Sequence, residues 1–208
     1  VNMGQMGDDN RFPIQVAFGG YVPEGTRITK NSIHHSLQRC VVIQATHDVI
    51  VDHNVAYHTH GHCFVTEDGI ETGNKFLGNV AMNIVMSTKS IDAGDGNDQT
   101  DSFASAFYMA SPSNDIQGNV VAGAQHTGFF YESFLRVRGA SAEYKLPGFD
   151  TLNVKHMPFG VFKDNLAHGV QIGLNPGFGR SPSEPMTFFG FSCWSVYDCF
   201  HSQHSHNL

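Results

Sequence analysis

An asparagine followed by small or aliphatic residues recurs along the chain, and its spacing is the feature that most restricts the fold. The copies are Asn31-Ser32-Ile33, Asn54-Val55-Ala56, Asn79-Val80-Ala81, Asn119-Val120-Val121 and Asn165-Leu166-Ala167, with Phe191-Ser192-Cys193 as a degenerate sixth. The first two intervals are 23 and 25 residues, and the next two, of 40 and 46 residues, fit one period plus an insertion. A period of this length predicts one structural unit repeated in a stack.

Short alternating apolar runs, such as Val49-Ile50-Val51, precede the asparagines and indicate strands rather than helices. We therefore predict an all-β chain folded as a right-handed parallel β-helix, a pectin-lyase-like solenoid. In such a fold each coil stacks about 4.8 Å from the next, and equivalent asparagines can form a hydrogen-bonded ladder. The alternative is a β-sandwich or barrel, in which Asn- and Gly-rich turns also recur.

Two long intervals predict loop insertions at about residues 87–105 and 134–155, so that residues 1–208 form one solenoid segment. The first insertion is acidic and glycine-rich, which favours a solvated loop and leaves calcium binding as an alternative. The second is expected to fold over one face, because coils alone supply only flat sheets. Neither end shows a capping element, and we expect the segment to come from a larger protein.

The charge balance restricts the partners. Twelve Lys and Arg against 19 Asp and Glu give a net charge of −7, which disfavours nucleic acid. Thirteen histidines allow the formal charge to reach +6 in acid. No stretch is long and apolar enough to insert into a membrane. Four cysteines permit disulfides, and the short separation of Cys193 and Cys199 fits a local bridge.

The densest polar stretch contains His58, His60 and His62 in alternation. On a strand these side chains would share a face, and His35 is placed one coil below His58 by the asparagine alignment. The pattern makes His58, His60 and His35 candidate zinc ligands. The alternative, which we favour, is an exposed histidine ladder without metal, so no cofactor is expected.

Two adjacent carboxyls, Glu67 and Asp68, follow the histidines. A glycoside hydrolase needs two carboxyls at a set separation, and Asp101 is the first candidate for a partner from a neighbouring coil or insertion. The alternative is that Glu67 and Asp68 cap a turn by accepting backbone amide hydrogens.

In the hydrolase interpretation, other residues hold the sugar. His62 or His126 positions it, and aromatic side chains such as Tyr131 stack on its rings.

Several segments, in order, resemble one family: the extracellular β-helix region shared by fibrocystin, fibrocystin-L and the cell-surface and secreted hyaluronan-depolymerising proteins. The matching segments are Asn2-Met3-Gly4-Gln5-Met6-Gly7, Arg11-Phe12-Pro13-Ile14, Ser32-Ile33-His34-His35-Ser36, Gly61-His62-Cys63-Phe64-Val65-Thr66-Glu67-Asp68-Gly69-Ile70-Glu71, Ala106-Phe107-Tyr108-Met109-Ala110-Ser111-Pro112-Ser113-Asn114, Ala122-Gly123-Ala124-Gln125-His126-Thr127-Gly128-Phe129 and Phe159-Gly160-Val161-Phe162-Lys163-Asp164-Asn165.

The resemblance implies a large extracellular or cell-surface parent whose other domains are the first partners, with other extracellular proteins or a polysaccharide as further ones. Where the family reads Arg-Tyr-Pro-Ile-His-Phe-His, this chain has Gln15 and Ala17 in place of both histidines. The motif's tryptophan is also replaced, by Tyr108 and Phe130, and Tyr108 becomes a candidate sugar contact. An amide and a methyl group cannot move a proton as imidazoles do.

We therefore favour a non-catalytic structural or adhesive segment in the manner of fibrocystin-L, including a ciliary or flagellar surface role. The alternative is a hyaluronan-type polysaccharide hydrolase using Glu67, Asp68 and Asp101, or a sugar-binding module that does not cleave.

Overall fold

The computed structural model describes residues 12–87, 100–132, 134–177 and 185–202, and this part of the chain is built almost entirely of strands. One short helix, α1 (Gly139–Glu143), and two 3-10 turns, Thr100–Phe103 and Val154–His156, accompany them. The strands in chain order are β1 (Ile14–Tyr21), β2 (Arg27–Thr29), β3 (Ser32–His34), β4 (Val41–His47), β5 (Ile50–Asp52), β6 (Val55–His60), β7 (Phe64–Thr66), β8 (Lys75–Leu77), β9 (Val80–Val85), β10 (Ser105–Met109), β11 (Asp115–Gln117), β12 (Val120–Tyr131), β13 (Phe162–Lys163), β14 (Leu166–Asn175), β15 (Phe188–Phe189) and β16 (Ser192–Phe200).

Each coil contributes strands to three faces, which we name A, B and C in chain order. Strands β1, β4, β7 and β10 lie on face A; β2, β5, β8, β11, β13 and β15 lie on face B; β3, β6 and β9 lie on face C. The long strands β12, β14 and β16 begin on face C and continue onto face A, so these two faces join into one sheet. All pairings among the described strands are parallel. This is the predicted β-helix and not the sandwich alternative.

The predicted asparagine ladder runs between faces B and C. Side-chain amides join Asn31 to Asn54 at 2.9 Å, Asn54 to Asn79 at 3.0 Å, Asn79 to Asn119 at 3.1 Å and Asn119 to Asn165 at 3.1 Å. The residue before each asparagine has positive φ, for example 61° at Gly78, because the chain must turn sharply there. The five asparagines are thus confirmed as one structural position, and the next coil has Phe191 at that position.

A second ladder, which the sequence reading did not find, joins Asn74 to Asn114 at 3.0 Å between faces A and B. Asn74 also accepts the backbone N–H of Val49 at 2.9 Å. With only two asparagines this column has no repeat that spacing alone could reveal.

The interior is filled by columns of apolar side chains, one per face. On face A, Phe64, Phe107 and Phe129 stack with ring centroids 4.9 Å apart at each step. The equivalent column on face C contains small residues, among them Ala56 and Ala81. The large rings of face A and the small side chains of face C belong to one buried core.

The second proposed insertion lies over the outer side of face A, between β12 and β13. Val137 and Val154 from this segment, together with Met157 just beyond it, are buried against Ala45 and Ile70 of the coils. The first lies between β9 and β10. The calcium alternative depends on the oxygen-bearing side chains of Asp92, Asp95, Asn97, Asp98 and Asp101. The first four lie outside the described residues, and Asp101 is buried and paired with Arg39.

Two disulfides join all four cysteines. Cys193 pairs with Cys199, as the short separation suggested, and Cys40 pairs with Cys63 across neighbouring coils. Cys40 and Cys63 are fully buried and 23 residues apart, so this bond fixes the register of two successive turns.

Candidate functional site

A buried ion cluster lies at the corner between faces C and A. Arg39 pairs through Nη1 with Glu67 Oε2, and through Nη2 with Asp101 Oδ2 at 3.1 Å. Its guanidinium also lies 5.1 Å from the ring centroid of Phe12. The structure therefore brings Glu67 and Asp101 together by placing both carboxyls against a single arginine.

Burial and charge act in opposite directions on this cluster. Burial alone would lower the pKa of Arg39 and raise that of Asp101, but their mutual attraction dominates, raising the pKa of Arg39 and lowering that of Asp101. Both groups are thus held in their charged forms, which is what a buried pair requires for stability.

His62 belongs to the same cluster. Its backbone N–H donates to Asp101 Oδ1 at 2.8 Å, and its Nδ1 accepts the backbone N–H of Ser105 at 3.0 Å. Complete burial, with repulsion from nearby cations, lowers its pKa to about 3 despite the attraction of Asp101. The imidazole is therefore neutral, and since Nδ1 accepts, its proton is on Nε2.

The expectation that His62 shares a face with His58 and His60 is wrong. Strand β6 ends at His60, and positive φ angles of 51° at His58 and 74° at Gly61 interrupt the strict alternation of a strand. His62 is consequently turned into the protein, where it stacks on Tyr108 with ring centroids 4.1 Å apart.

Asp68 fastens the second insertion to the coils. Its Oδ2 accepts the backbone N–H of Ser141 at 2.9 Å and the Ser141 hydroxyl at 2.5 Å, and Oδ1 accepts from Gln44 at 3.3 Å. Burial, reinforced by the negative charge of Glu67, raises the pKa of Asp68 although these donors lower it. The turn-capping alternative therefore describes Asp68 better than a role at an open groove.

Glu71, which the sequence reading passed over, caps the turn that carries these carboxyls. Its side chain accepts three backbone N–H groups, from Ala45 at 2.9 Å, Asp68 at 3.1 Å and Gly69 at 2.9 Å. Burial and the neighbouring Asp68 raise its pKa to about 8.

The candidate sugar-binding side chains are mostly interior. Tyr108 and Tyr131 are only 1% and 2% exposed, so no polymer can reach their rings in this conformation. The Tyr108 hydroxyl accepts from Arg138 at 2.6 Å. His126 is half-buried, contacts the Thr127 hydroxyl at 2.7 Å, and has a pKa lowered by burial.

The candidate zinc ligands do lie side by side on the outer surface of face C. His35 is level with His58, with ring centroids 5.2 Å apart, and His58 is 5.9 Å from His60. Within the described ranges, however, no group of three or more His, Cys, Asp or Glu side chains is arranged to hold a metal ion.

Gln15 and Ala17, at the positions of the two missing histidines, lie on β1. Gln15 is exposed, and its Nε2 donates to Gln44 Oε1 at 3.4 Å. Gln44 in turn donates to Asp68, so the positions of the lost imidazoles lie on the same side of face A as the carboxyls.

Comparison of the sequence with known proteins shows the family of the chain. The family model described as CEMIP beta-helix matches residues 1–174. The chain belongs to the CEMIP β-helix family. It is 30% identical over 169 residues to the human cell migration-inducing and hyaluronan-binding protein (72% of this chain, 12% of the relative). It is 32% identical over 159 residues to human fibrocystin-L (76% of this chain, 3% of the relative) and 30% identical over 193 residues to the human cell surface hyaluronidase CEMIP2 (81% and 14%).

The chain thus spans between 3% and 14% of the length of these relatives. Among the described residues, no helix has the length and hydropathy needed to span a membrane. The β-helix continues through β16, beyond the last residue matched by the family model.

Arg39 and Arg138, like Glu71, are residues of this site that sequence reasoning missed. Arg138 sits with its guanidinium 3.5 Å from the ring centroid of Phe134, and Arg39 is 28 and 62 positions from its two carboxyl partners. Neither arginine is in a motif. The cysteines carried the signal that could have revealed Arg39. Arg39 and His62 each directly precede a cysteine, and the disulfide between Cys40 and Cys63 brings them to the same corner.

Proposed function

We propose that this chain is a non-catalytic structural or adhesive β-helix segment of a large extracellular or cell-surface protein, in the manner of fibrocystin-L. One observation carries the proposal: the three candidate carboxyls are buried and committed to internal partners. Glu67, Asp68 and Asp101 are 7%, 1% and 0% exposed, and each is paired with Arg39 or with the second insertion. A polysaccharide cannot be protonated by a group that it cannot touch.

One open cavity of the described structure has a volume of about 410 Å³ and lies between β1 and the second insertion. Its lining includes Phe18, Tyr21, His47 and Leu146, but none of the three carboxyls. A surface role at a cilium or flagellum belongs to the same proposal.

A second candidate function is cleavage of a hyaluronan-type polysaccharide. Two relatives are named for hyaluronan binding and hyaluronidase activity, and Glu67 and Asp101 do meet around one arginine. In that case an opening of the corner between faces C and A would have to precede catalysis.

The deciding experiment incubates the full-length parent with acidic and neutral polysaccharides and follows the size distribution of each polymer. Glu67→Gln is the test variant, and Asp164→Asn, which changes an exposed carboxyl on face B, is its matched control. Unchanged polymer supports the non-catalytic proposal. Shortening that Glu67→Gln abolishes and Asp164→Asn preserves would establish the hydrolase instead.

We also propose that the coils wind right-handed, as in pectin-lyase-like solenoids. Connections between parallel strands of one sheet are right-handed in about 98% of cases, because twisted strands pack back onto the sheet in that sense. A crystal structure of the chain tests the handedness directly.

A further inference from the structure

The outer side of face C differs from the other faces in having no formal charge at its ladder positions. One outward row runs through all six described coils: His34, Tyr57, Met82, Ala122, His168 and Trp194. A parallel row begins at Ser32, ends at Ser192, and has three valines and a leucine between them. Neither row contains Asp, Glu, Lys or Arg, in a chain whose net charge is −7.

Face B shows what an ordinary solvent-facing side of this solenoid contains. Its outward positions include Arg27, Asp52, Lys75 and Lys163. The middle of the outer side of face A, around Ala45 and Val65, is buried beneath the second insertion, and its end at β1 is exposed. Among the described faces, face C is therefore the one whose middle is neither charged nor covered.

The uncharged face is also accessible. Val55 is 38% exposed, Tyr57 44% and Trp194 53%, and the indole of Trp194 stacks on His168 with ring centroids 4.5 Å apart. Parallel sheets usually have both sides covered, and contiguous exposed apolar patches of a few hundred Å² mark interaction sites.

The area of the face indicates the kind of partner. Six strands about 4.8 Å apart, each presenting about five residues at roughly 3.3 Å per residue, give about 500 Å² on this side. Covering it buries about 1,000 Å² in total, within the roughly 600 to 1,500 Å² typical of interfaces between domains of one chain. A complex between separate molecules usually needs about 1,600 Å² in total, so the face is too small to hold a second copy tightly.

We propose that the outer side of face C docks a domain of the same parent polypeptide. The inference rests on the proposed function, in which this chain is a segment of a longer protein. Attachment through the polypeptide raises the effective concentration of such a domain to about the millimolar range, which compensates for the modest area. The partner surface is correspondingly apolar and uncharged, because a buried unpaired charge opposite Met82 or Ala122 would be costly.

The test is hydroxyl-radical footprinting, read by mass spectrometry, of the isolated chain and of the full-length parent. Modification of Met82 and Trp194 is expected to fall about fivefold in the parent, as for side chains in the core of an interface. Phe189, exposed on face B, serves as the internal control and should be modified equally in both. Equal modification of Met82 and Trp194 in both proteins overturns the inference and leaves the polysaccharide result, and with it the proposed function, untouched.

A pair of variants in the parent identifies the face. Val120→Lys places a charge at its centre and should restore modification of Met82 to the level of the isolated chain. Gln117→Lys makes the same change three residues earlier on face B and should leave the protection intact. If the isolated chain instead forms a concentration-dependent dimer that Val120→Lys abolishes, the occupant is a second copy and the commitment to a parent domain is wrong.

Discussion

Replacing Asn79, in the middle of the asparagine ladder, by alanine should destabilise the protein more than the same change at the end of the ladder. Its Oδ1 accepts the backbone N–H and the side-chain amide of Asn54, both at 3.0 Å. Its Nδ2 donates to the Val51 carbonyl at 2.8 Å and to Asn119 Oδ1 at 3.1 Å. Four fully buried hydrogen bonds, each contributing about 1 kcal/mol net, give an expected loss of about 4 kcal/mol in the free energy of unfolding.

Asn31 at the end of the ladder is the matched control. Its side chain donates only two hydrogen bonds, to the Thr29 carbonyl and Asn54 Oδ1, and is half-buried, so water can replace part of what is lost. Asn31→Ala should therefore cost about 1 to 2 kcal/mol. Urea unfolding of both variants, followed by circular dichroism, measures the difference.

The hydrogen bonds of the ladder also predict the stability of an Asn79→Asp variant. This variant retains an oxygen where Oδ1 accepts, but it loses both donors and turns a carboxylate towards the Val51 carbonyl and Asn119 Oδ1. It should be at least as unstable as Asn79→Ala at neutral pH. Equal costs for Asn79→Ala and Asn31→Ala, or an Asn79→Asp variant as stable as the original chain, would refute the reasoning.

Three further predictions concern the buried corner and its turn. Replacing Cys40 and Cys63 together by serine should lower the free energy of unfolding by about 3 kcal/mol, because the disulfide closes a loop of 23 residues. Removing the other disulfide, which closes a loop of 6 residues, should lower it by about 2 kcal/mol. The urea midpoints of the two variants measure the difference. Arg39→Met should lower the free energy of unfolding by about 3 to 5 kcal/mol at pH 7, because it leaves buried carboxylates without their partner. The pKa of Asp101 is lowered in the fold, so the contribution of ionised Asp101 to stability is present above its ordinary pKa of 3.8 and is lost in stronger acid. The loss of stability caused by Arg39→Met should therefore become smaller below about pH 4. A loss at pH 3 equal to that at pH 7 contradicts this reasoning. Glu71 has a pKa raised to about 8 from 4.5, so its contribution to stability should increase as the pH falls from 8 towards 4.5, and unfolding of Glu71→Gln should lack that trend.

The fold could be predicted because a short sequence pattern repeats once in each coil. Asn54 and Asn79 recur at the coil period, and each needs only its equivalent one coil away, so spacing alone identified their contacts. The site could be predicted only in part. Glu67 and Asp101 do meet, but around Arg39, which no motif indicated, and the alternation of a strand could not show that His62 turns inward after Gly61. The burial of a polar side chain such as His62 depends on the assembled coils, and the alternation of apolar residues does not reveal it.

The lowered pKa of Asp101 and the raised pKa of Asp68 resemble the divergence that distinguishes the base from the acid in many hydrolases. Here the causes are structural. Asp101 is held ionised by Arg39, and a general base so strongly paired would give up that attraction on accepting a proton. Burial raises the pKa of Asp68, but its oxygens are already occupied by Ser141 and Gln44. Divergent pKa values mark an active site when the two groups also face a shared, accessible volume. In this chain both groups instead fasten turns and an insertion to the same side of the solenoid, and this arrangement is the basis of our proposal that the segment acts as a scaffold.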